Sequence, residues 1–295
     1  MQLRELAVRT LPPGLKRSLL RSRENVLDAV LSARMASGRD GTTPHFIVIG
    51  GQKCGTTYLY DRLIDHPQIS PCLFESLNDG EIHYFHRRYC KGLDWYRANF
   101  PESAKVPGMM TGEASGYIFY PHAPARIARE APGVKLIALL RNPIDRALSH
   151  YHHEMRLGFE SLPISEAFQR ESERLAGETE KVLADPGYFS FTRNHFSYLA
   201  RGFYADQLPW WMEHFGADQL LVLQSETFFR EPVKALQQVT AFLGLDDWQP
   251  ETYQGHKSYR YPKLKPEKRR ELAAHFREAN QRLYQLLGTA YDWDA

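Results

Sequence analysis

The sequence has few of the features that mark secreted or membrane-spanning proteins. It contains three cysteines, Cys54, Cys72 and Cys90, an odd and sparse set that does not suit a disulfide framework. No apolar run approaches the ~20 residues of a membrane span, and the N-terminus lacks the apolar core of a signal peptide. We therefore expect reduced thiols and a cytoplasmic protein.

A strong charge of one sign is also missing. The 295 residues carry 37 Lys and Arg against 35 Asp and Glu, a net charge of +2. Binding of nucleic acid along a wide surface usually requires a larger positive charge, so we expect no nucleic-acid partner. The length and the 43 % hydrophobic composition suit one large α/β domain or two small ones.

The most informative segment is a turn near residue 50. An apolar strand that ends at Gly50 leads into a glycine-bracketed turn, and a helix opens after Gly55. Backbone N–H groups at such a turn bind anions together with the positive end of the helix, and Lys53, Thr56 and Thr57 add side-chain donors. Nucleoside triphosphatase loops have a lysine where Thr56 stands, so we favour a nucleotide bound without a metal ion. A plain strand-turn-helix connection is the alternative.

Strands and helices alternate along the chain. Further buried strands are predicted at 134–140 and 220–224, and helices at 57–65, 122–131, 143–157, 200–215, 231–243 and 265–287. This alternation predicts an α/β fold with a central, mostly parallel sheet flanked by helices, and the loop makes it a P-loop-like three-layer fold.

Residues 1–43 are predicted to form a basic helical extension and linker ahead of a domain at 44–295. Residues 1–40 hold eight Lys or Arg and four acidic residues, with apolar side chains interleaved. Such a helix suits peripheral contact with a membrane surface, but we favour packing on its own domain or on a partner in a homo-oligomer.

A second anion site is predicted after the strand at 134–140. Arg141 follows the carboxyl end of that strand, where open α/β sheets bind ligands, and Asn142-Pro143 opens a helix that carries Ser149 two turns later. Arginine makes two-pronged contacts with phosphate, and a nearby serine can donate to the same group. Taken alone, the pair would equally suit a surface arginine and a helical serine. Cys54 is a candidate nucleophile that we disfavour, because such turns accept any small residue there.

Together these motifs resemble the sulfotransferases that use 3'-phosphoadenosine 5'-phosphosulfate (PAPS) and release adenosine 3',5'-bisphosphate (PAP). The resemblance rests on Lys-x-Gly-Thr-Thr after a strand and on a later Arg-Asn-Pro-x-x-Arg-Ala-x-Ser-x-Tyr. It implies that the first motif holds the 5'-phosphosulfate and the second the 3'-phosphate, with no metal. A third element, His256–Pro262, is similar to the family's loop over the phosphates and adenine. The cofactor-binding residues so implied are Lys53, Cys54, Gly55, Thr56, Thr57, Arg141, Ser149, Lys257 and Arg260.

Other segments resemble one branch, the heparan sulfate N- and 3-O-sulfotransferases. Glu81-Ile-His-Tyr-Phe85, Lys91-Gly-Leu-Asp-Trp-Tyr96 and the closing Leu286–Trp293 are similar to segments of that branch. The resemblance implies that Glu81 is the general base and that the acceptor is a hydroxyl, less favourably an amine, of a carbohydrate or glycoconjugate. His83 would assist Glu81 from the same side of an extended strand, and Lys53 would neutralise charge on the leaving phosphate oxygen.

One departure from the branch keeps other acceptors open. Ala114, in Gly112–Tyr117, stands where the branch has a lysine near the acceptor. Sulfation of a small-molecule, polyketide or lipid hydroxyl is therefore the alternative within the enzyme interpretation. A P-loop nucleotide kinase and a non-catalytic nucleotide-binding module are the alternatives outside it, and Thr56 and Arg141 disfavour the kinase.

Overall fold

A parallel sheet forms the centre of the fold. The computed structural model describes residues 13–39, 41–74, 81–185, 187–253 and 261–293, with side chains from residue 22 onward. Within these residues the sheet has five strands in the order β2-β3-β1-β4-β5, and every pair is parallel. The strands are β1 Phe46–Gly50, β2 Ile69–Ser70, β3 Met110–Ala114, β4 Lys135–Leu140 and β5 Leu220–Gln224. The predicted parallel α/β sheet is confirmed.

Strand β1 is the central strand, and its five residues are all buried. Val48 lies opposite Ala114 of β3 on one side and Ile137 of β4 on the other. Continuous apolar strands of this kind are typical of parallel sheets covered on both faces. The carboxyl ends of β1, β3 and β4 therefore meet at one edge of the sheet, and the predicted phosphate-binding residues follow two of them.

Helices connect the strands. The α-helices are α1 Pro13–Ala36, α2 Thr56–Leu63, α3 Leu93–Arg97, α4 Ala123–Glu130, α5 Pro143–Leu157, α6 Ile164–Gln169, α7 Glu171–Leu175, α8 Glu178–Ala184, α9 Phe191–His195, α10 Tyr204–Met212, α11 Ser225–Arg230, α12 Pro232–Leu243 and α13 Pro266–Leu287. A π-helical turn spans Tyr84–Arg88, and 3₁₀ turns span Tyr89–Lys91, Glu102–Lys105 and Ala200–Gly202. Among the described helices, none combines the length and apolar character needed to cross a bilayer.

The ends of α5 show why its bounds match the sequence prediction. The Asn142 side chain accepts hydrogen bonds from the backbone N–H of Ile144 and Asp145, at 3.0 and 3.3 Å. Gly158 ends the helix with φ +75°, a left-handed conformation that glycine adopts readily. The helix predicted at 200–215 is instead interrupted at Gly202, where a Cβ atom would lie 2.8 Å from Pro143.

Helix α1 packs on the domain rather than projecting from it. Leu27 and Leu31 are buried in the main core. Arg34 donates hydrogen bonds to the carbonyl oxygens of Ala98 and Phe100, at 3.1 and 3.3 Å. The described side chains of α1 therefore agree with packing on its own domain.

Candidate active site

A backbone hydrogen bond to β4 holds the turn after β1 against the sheet. Gly51 N–H donates to the Leu139 carbonyl at 2.7 Å, and Cys54 N–H donates to the Gly51 carbonyl at 3.2 Å. Gly55 has φ +98° immediately before α2, and the ring of Phe229 lies close against it. Thr56 and Thr57 then begin α2, whose first N–H groups have no partner inside the helix. The turn and the helix end are arranged as an anion cradle.

Lys53 carries the first positive charge of the site. Its backbone is left-handed, with φ +67°. The pKa of Lys53 is lowered to about 8, chiefly by burial. The charges of Arg156 and Arg141 contribute to this lowering, and those of Glu154 and Glu81 oppose it. The amine therefore lies among charged side chains from the strand-following segments and from α5.

Cys54 lies in the packed interior beneath the turn. Its side chain is buried, and Sγ lies 3.8 Å from the Tyr204 hydroxyl. Its carbonyl accepts a 2.7 Å hydrogen bond from the Ser225 hydroxyl. Burial raises the pKa of the thiol to about 11, so the nucleophilic thiolate is scarce at neutral pH. The structure agrees with a packing role for the Cys54 side chain.

Arg141 provides the second positive charge and reaches the same turn. It follows the last residue of β4, and Nη1 donates to the Lys53 carbonyl at 3.2 Å. Ser149 is half-buried on α5, and its hydroxyl makes no hydrogen bond to a described residue. Lys257 and Arg260 lie outside the described residues. The chain is described again from Tyr261, whose hydroxyl hydrogen-bonds to Arg141 and whose ring stacks on His152 at 4.9 Å.

Glu81 provides the carboxyl group of the candidate site. Its Oε2 accepts a 3.2 Å hydrogen bond from Gly116 N–H and lies 3.3 Å from His83 Nδ1. The side chain is 41 % exposed, so the carboxylate remains open to reactants although protein surrounds it. The pKa of Glu81 is raised to about 7, chiefly by the partial burial of its carboxyl group and also by Glu113. The Gly116 hydrogen bond and the charges of Arg201 and Lys53 oppose this rise. A carboxylate with such a pKa suits proton transfer at neutral pH.

His83 does not lie on an extended strand, so that part of the sequence prediction is wrong. It has φ +57° and precedes the π-helical turn Tyr84–Arg88, yet its ring still lies beside Glu81. Burial, together with the charges of Arg87 and Arg88, lowers the pKa of His83 to about 3, so the ring is neutral at physiological pH. A neutral imidazole can hydrogen-bond to the carboxyl group or to the acceptor.

A buried carboxylate on β3 supports this segment from the sheet side. Glu113 accepts hydrogen bonds from the hydroxyls of Tyr96, Ser115 and Tyr117, at 2.6, 2.6 and 2.9 Å. The hydroxyls of Ser115 and Tyr117 in turn accept hydrogen bonds from the backbone N–H groups of His83 and Tyr84, at 3.2 and 3.0 Å. Ala114, which stands where the heparan sulfate branch has a lysine, follows Glu113 in β3 and is buried. Glu113 therefore fixes the backbone that presents Glu81.

Several residues in and around the site had no assigned role in the sequence prediction. His195 Nδ1 lies 2.7 Å from Glu154 Oε2, and its ring packs between Phe159 and Phe191, both at 4.3 Å. Arg201 is buried, and among the cations its charge lowers the pKa of Glu81 most. Glu154 had only its helical spacing from His150 as a signal, and Arg201 had none.

Comparison with known proteins shows the family of the chain. Residues 43–290 match the family model described as "Sulfotransferase domain". The chain belongs to the sulfotransferase domain family. The expected resemblance to sulfotransferases is confirmed, and so is the expectation that the protein is a sulfotransferase enzyme. In fold, the sulfotransferase from Alicyclobacillus acidocaldarius superimposes with a TM-score of 0.67 at 29 % identity, covering 86 % of this chain and 100 % of that one.

Two sequence relatives place this sulfotransferase domain beside the expected branch. The bifunctional heparan sulfate N-deacetylase/N-sulfotransferase 3 of Homo sapiens is 29 % identical over 83 % of this chain. The heparan sulfate glucosamine 3-O-sulfotransferase 3B1 of Mus musculus is 29 % identical over 85 % of it. The chain spans only 30 % and 65 % of the length of these relatives.

Proposed function

We propose that the protein transfers the sulfuryl group of PAPS to a hydroxyl group of a carbohydrate or glycoconjugate. The observation that supports this best is the convergence of Lys53, Arg141 and Glu81 at one edge of the sheet, with the two cations linked through the Lys53 carbonyl. Two cations beside a helix N-terminus suit a ligand with phosphate groups at both ends of a nucleoside. A carboxylate of raised pKa beside them suits removal of one proton.

The donor-binding residues follow from this arrangement. The N–H groups at the start of α2, with Thr56, Thr57 and Lys53, would hold the 5'-phosphosulfate. Arg141, which follows β4, and Ser149 on α5 would hold the 3'-phosphate. Lys257 and Arg260 are proposed to cover the nucleotide on the strength of the family resemblance.

The reaction requires one proton transfer and one group transfer. Glu81 removes the proton of the acceptor hydroxyl while the acceptor oxygen bonds to sulfur. The bond between sulfur and the bridging phosphate oxygen breaks, and its electron pair remains on that oxygen, which yields PAP. Lys53 offsets the negative charge that grows there, as preorganised cations do in phosphoryl transfer. In-line geometry places Glu81 and the leaving oxygen on opposite sides of the sulfur.

A network of polar side chains that joins Tyr120, α9 and α5 supports a carbohydrate acceptor. The Tyr120 hydroxyl donates to Asn194 Oδ1 at 3.3 Å, Asn194 Nδ2 lies 3.4 Å from His195 Nε2, and His195 contacts Glu154. Polar groups of this kind, alternating with aromatic rings, suit an acceptor with several hydroxyls. The similarity to heparan sulfate sulfotransferases supports the same class. A small-molecule, polyketide or lipid hydroxyl is the alternative.

Calorimetric titration with PAP in the absence of magnesium tests the donor site. Micromolar binding is expected for the wild type, with strong loss in Arg141→Ala. Arg129→Ala is the matched control, because Arg129 is 66 % exposed and pairs with Glu130 on α4. Tighter binding of magnesium ATP than of PAP would overturn the proposal and restore the kinase interpretation.

Transfer of a radiolabelled sulfuryl group from PAPS then tests the acceptor class. Oligosaccharides with free hydroxyls are compared with aliphatic alcohols and phenols. Labelling of oligosaccharides that disappears in Glu81→Gln would support the proposal. Labelling only of simple alcohols would select the small-molecule alternative, and PAP binding with no labelling of any acceptor would indicate a nucleotide-binding module.

A further inference from the structure

Helix α1 lies before the residues that match the family model, yet it contacts the segment that carries Glu81. Asp28 accepts hydrogen bonds from Lys91 Nζ at 2.6 Å and from the Trp95 indole N–H at 2.9 Å. One turn earlier on the same helix, Glu24 Oε1 accepts hydrogen bonds from Arg87 Nη2 at 2.7 Å and Arg88 Nη2 at 3.2 Å. Two acidic residues of α1 thus hold the stretch that follows His83.

The Arg88 side chain also contacts the backbone of the segment that carries Glu81. Arg88 is 8 % exposed, and its Nη1 donates to the Ile82 carbonyl at 2.8 Å. Ile82 is the residue between Glu81 and His83. A single guanidinium therefore joins a carboxylate of α1 to the backbone of the two residues that form the proton-accepting pair. Asp28 lacks a hydrogen-bonded continuation of this kind among the described residues: Lys91 and Trp95 lie beyond the π-helical turn, and the Trp95 ring only packs against the Arg88 guanidinium, 5.7 Å from its centre.

We propose that Glu24 is a positioning residue for Glu81, acting through Arg88 and the Ile82 carbonyl. The proposal rests on the proposed function, in which Glu81 is the general base. It makes α1 part of the catalytic unit rather than an appendage of it.

The local backbone explains why such support is needed. Residues 81–83 belong to neither a helix nor a strand, so individual hydrogen bonds rather than a regular ladder fix their backbone. On the sheet side, Ser115 and Tyr117 hold the N–H groups of His83 and Tyr84. Arg88 holds the Ile82 carbonyl from the other side, and its buried charge requires an anion, which Glu24 supplies. A small displacement of a catalytic group reduces the rate strongly, by up to about a hundredfold per ångström.

The test compares Glu24→Ala with Asp28→Ala. The side chains of Glu24 and Asp28 are similarly exposed, at 36 % and 34 %. Each substitution removes contacts between α1 and the same segment. Glu24→Ala is expected to lower kcat about tenfold, with the KM for PAPS and the dissociation constant of PAP unchanged. Asp28→Ala is expected to keep the wild-type kcat. Arg88→Lys keeps the charge but cannot bridge Glu24 and Ile82, so it should lower kcat like Glu24→Ala.

Hydrogen exchange of the amides of His83 and Tyr84 gives a readout that needs no acceptor. Exchange at these two amides is expected to accelerate in Glu24→Ala and not in Asp28→Ala. Equal kcat values for the two variants, or equal exchange rates, would overturn the positioning role and leave α1 with a packing role alone. If the wild type binds PAP but sulfates no acceptor, the proposed function fails, and the exchange comparison still decides whether Glu24 fixes this backbone.

Discussion

Replacement of Gly55 by alanine tests how closely the anion cradle is packed. Gly55 has φ +98°, and a Cβ atom there would lie 2.5 and 2.7 Å from two ring atoms of Phe229. A left-handed backbone costs an L-residue roughly 1–2 kcal/mol, and overpacking adds about 1–3 kcal/mol. The free energy of unfolding of Gly55→Ala is therefore expected to fall by roughly 2–5 kcal/mol.

Two other glycines separate the backbone contribution from the packing contribution. Gly244 has φ +78° with nothing within 4 Å of a Cβ atom, so Gly244→Ala should lose only roughly 1–2 kcal/mol. Gly133 also has open space around it and lacks a left-handed φ. Gly133→Ala should therefore be neutral or stabilising by up to about 1 kcal/mol.

Urea unfolding followed by circular dichroism measures all three variants. Addition of Phe229→Leu to Gly55→Ala should recover part of the packing loss, because the smaller side chain leaves room for the methyl group. Calorimetry should also show weaker binding of PAP to Gly55→Ala, since the cradle has to shift to admit the methyl group. Equal unfolding free energies for Gly55→Ala and Gly244→Ala would refute the contact with Phe229.

Three further predictions concern titratable groups. The pKa of Glu81 is raised to about 7, so the rate of sulfation should rise as pH increases through that value, and Glu81→Gln should abolish turnover while keeping PAP affinity. Because burial disfavours the charged carboxylate, Glu81→Gln should not lower the free energy of unfolding above pH 7. The pKa of Lys53 is lowered to about 8, so calorimetric PAP affinity should fall as pH rises beyond it, and Lys53→Met should remove most of that dependence. Iodoacetamide should label exposed Cys90 in the native protein and leave buried Cys54 and Cys72 unmodified; rapid labelling of Cys54 would contradict its raised pKa.

Local signals in the sequence were sufficient for the elements that hold the donor-binding residues. Strand β1 is a continuous apolar run before glycine, and α5 is bounded by Asn142-Pro143 and Gly158, so both could be predicted with their ends. Strand β3 was missed because Gly112 and Glu113 interrupt its apolar character. Glu113 is tolerated there because the hydroxyls of Tyr96, Ser115 and Tyr117 satisfy it, and no local pattern shows that these groups meet.

The acceptor side of the site was less predictable. The position of Glu81 could be inferred only from family resemblance, and the left-handed φ of His83 has no local signal in a histidine. The contact between Glu154 and His195 joins α5 to α9 across 41 residues of chain, and the pair between Glu24 and Arg88 spans 64. Such contacts depend on how the elements pack, which the alternation of apolar and polar residues does not specify.

The central place of β1 also affects how the chain acquires its structure during synthesis. Phe46–Gly50 pairs with β3 and β4, and both neighbours follow it in the sequence. At roughly 5–20 residues per second, the ribosome needs several seconds or more to make the stretch from Gly50 to Leu140. Until β3 has been made, the most apolar strand of the sheet has no native neighbour, and it lacks its second neighbour until β4 is complete. This segment is therefore the expected binding site for chaperones on the nascent chain.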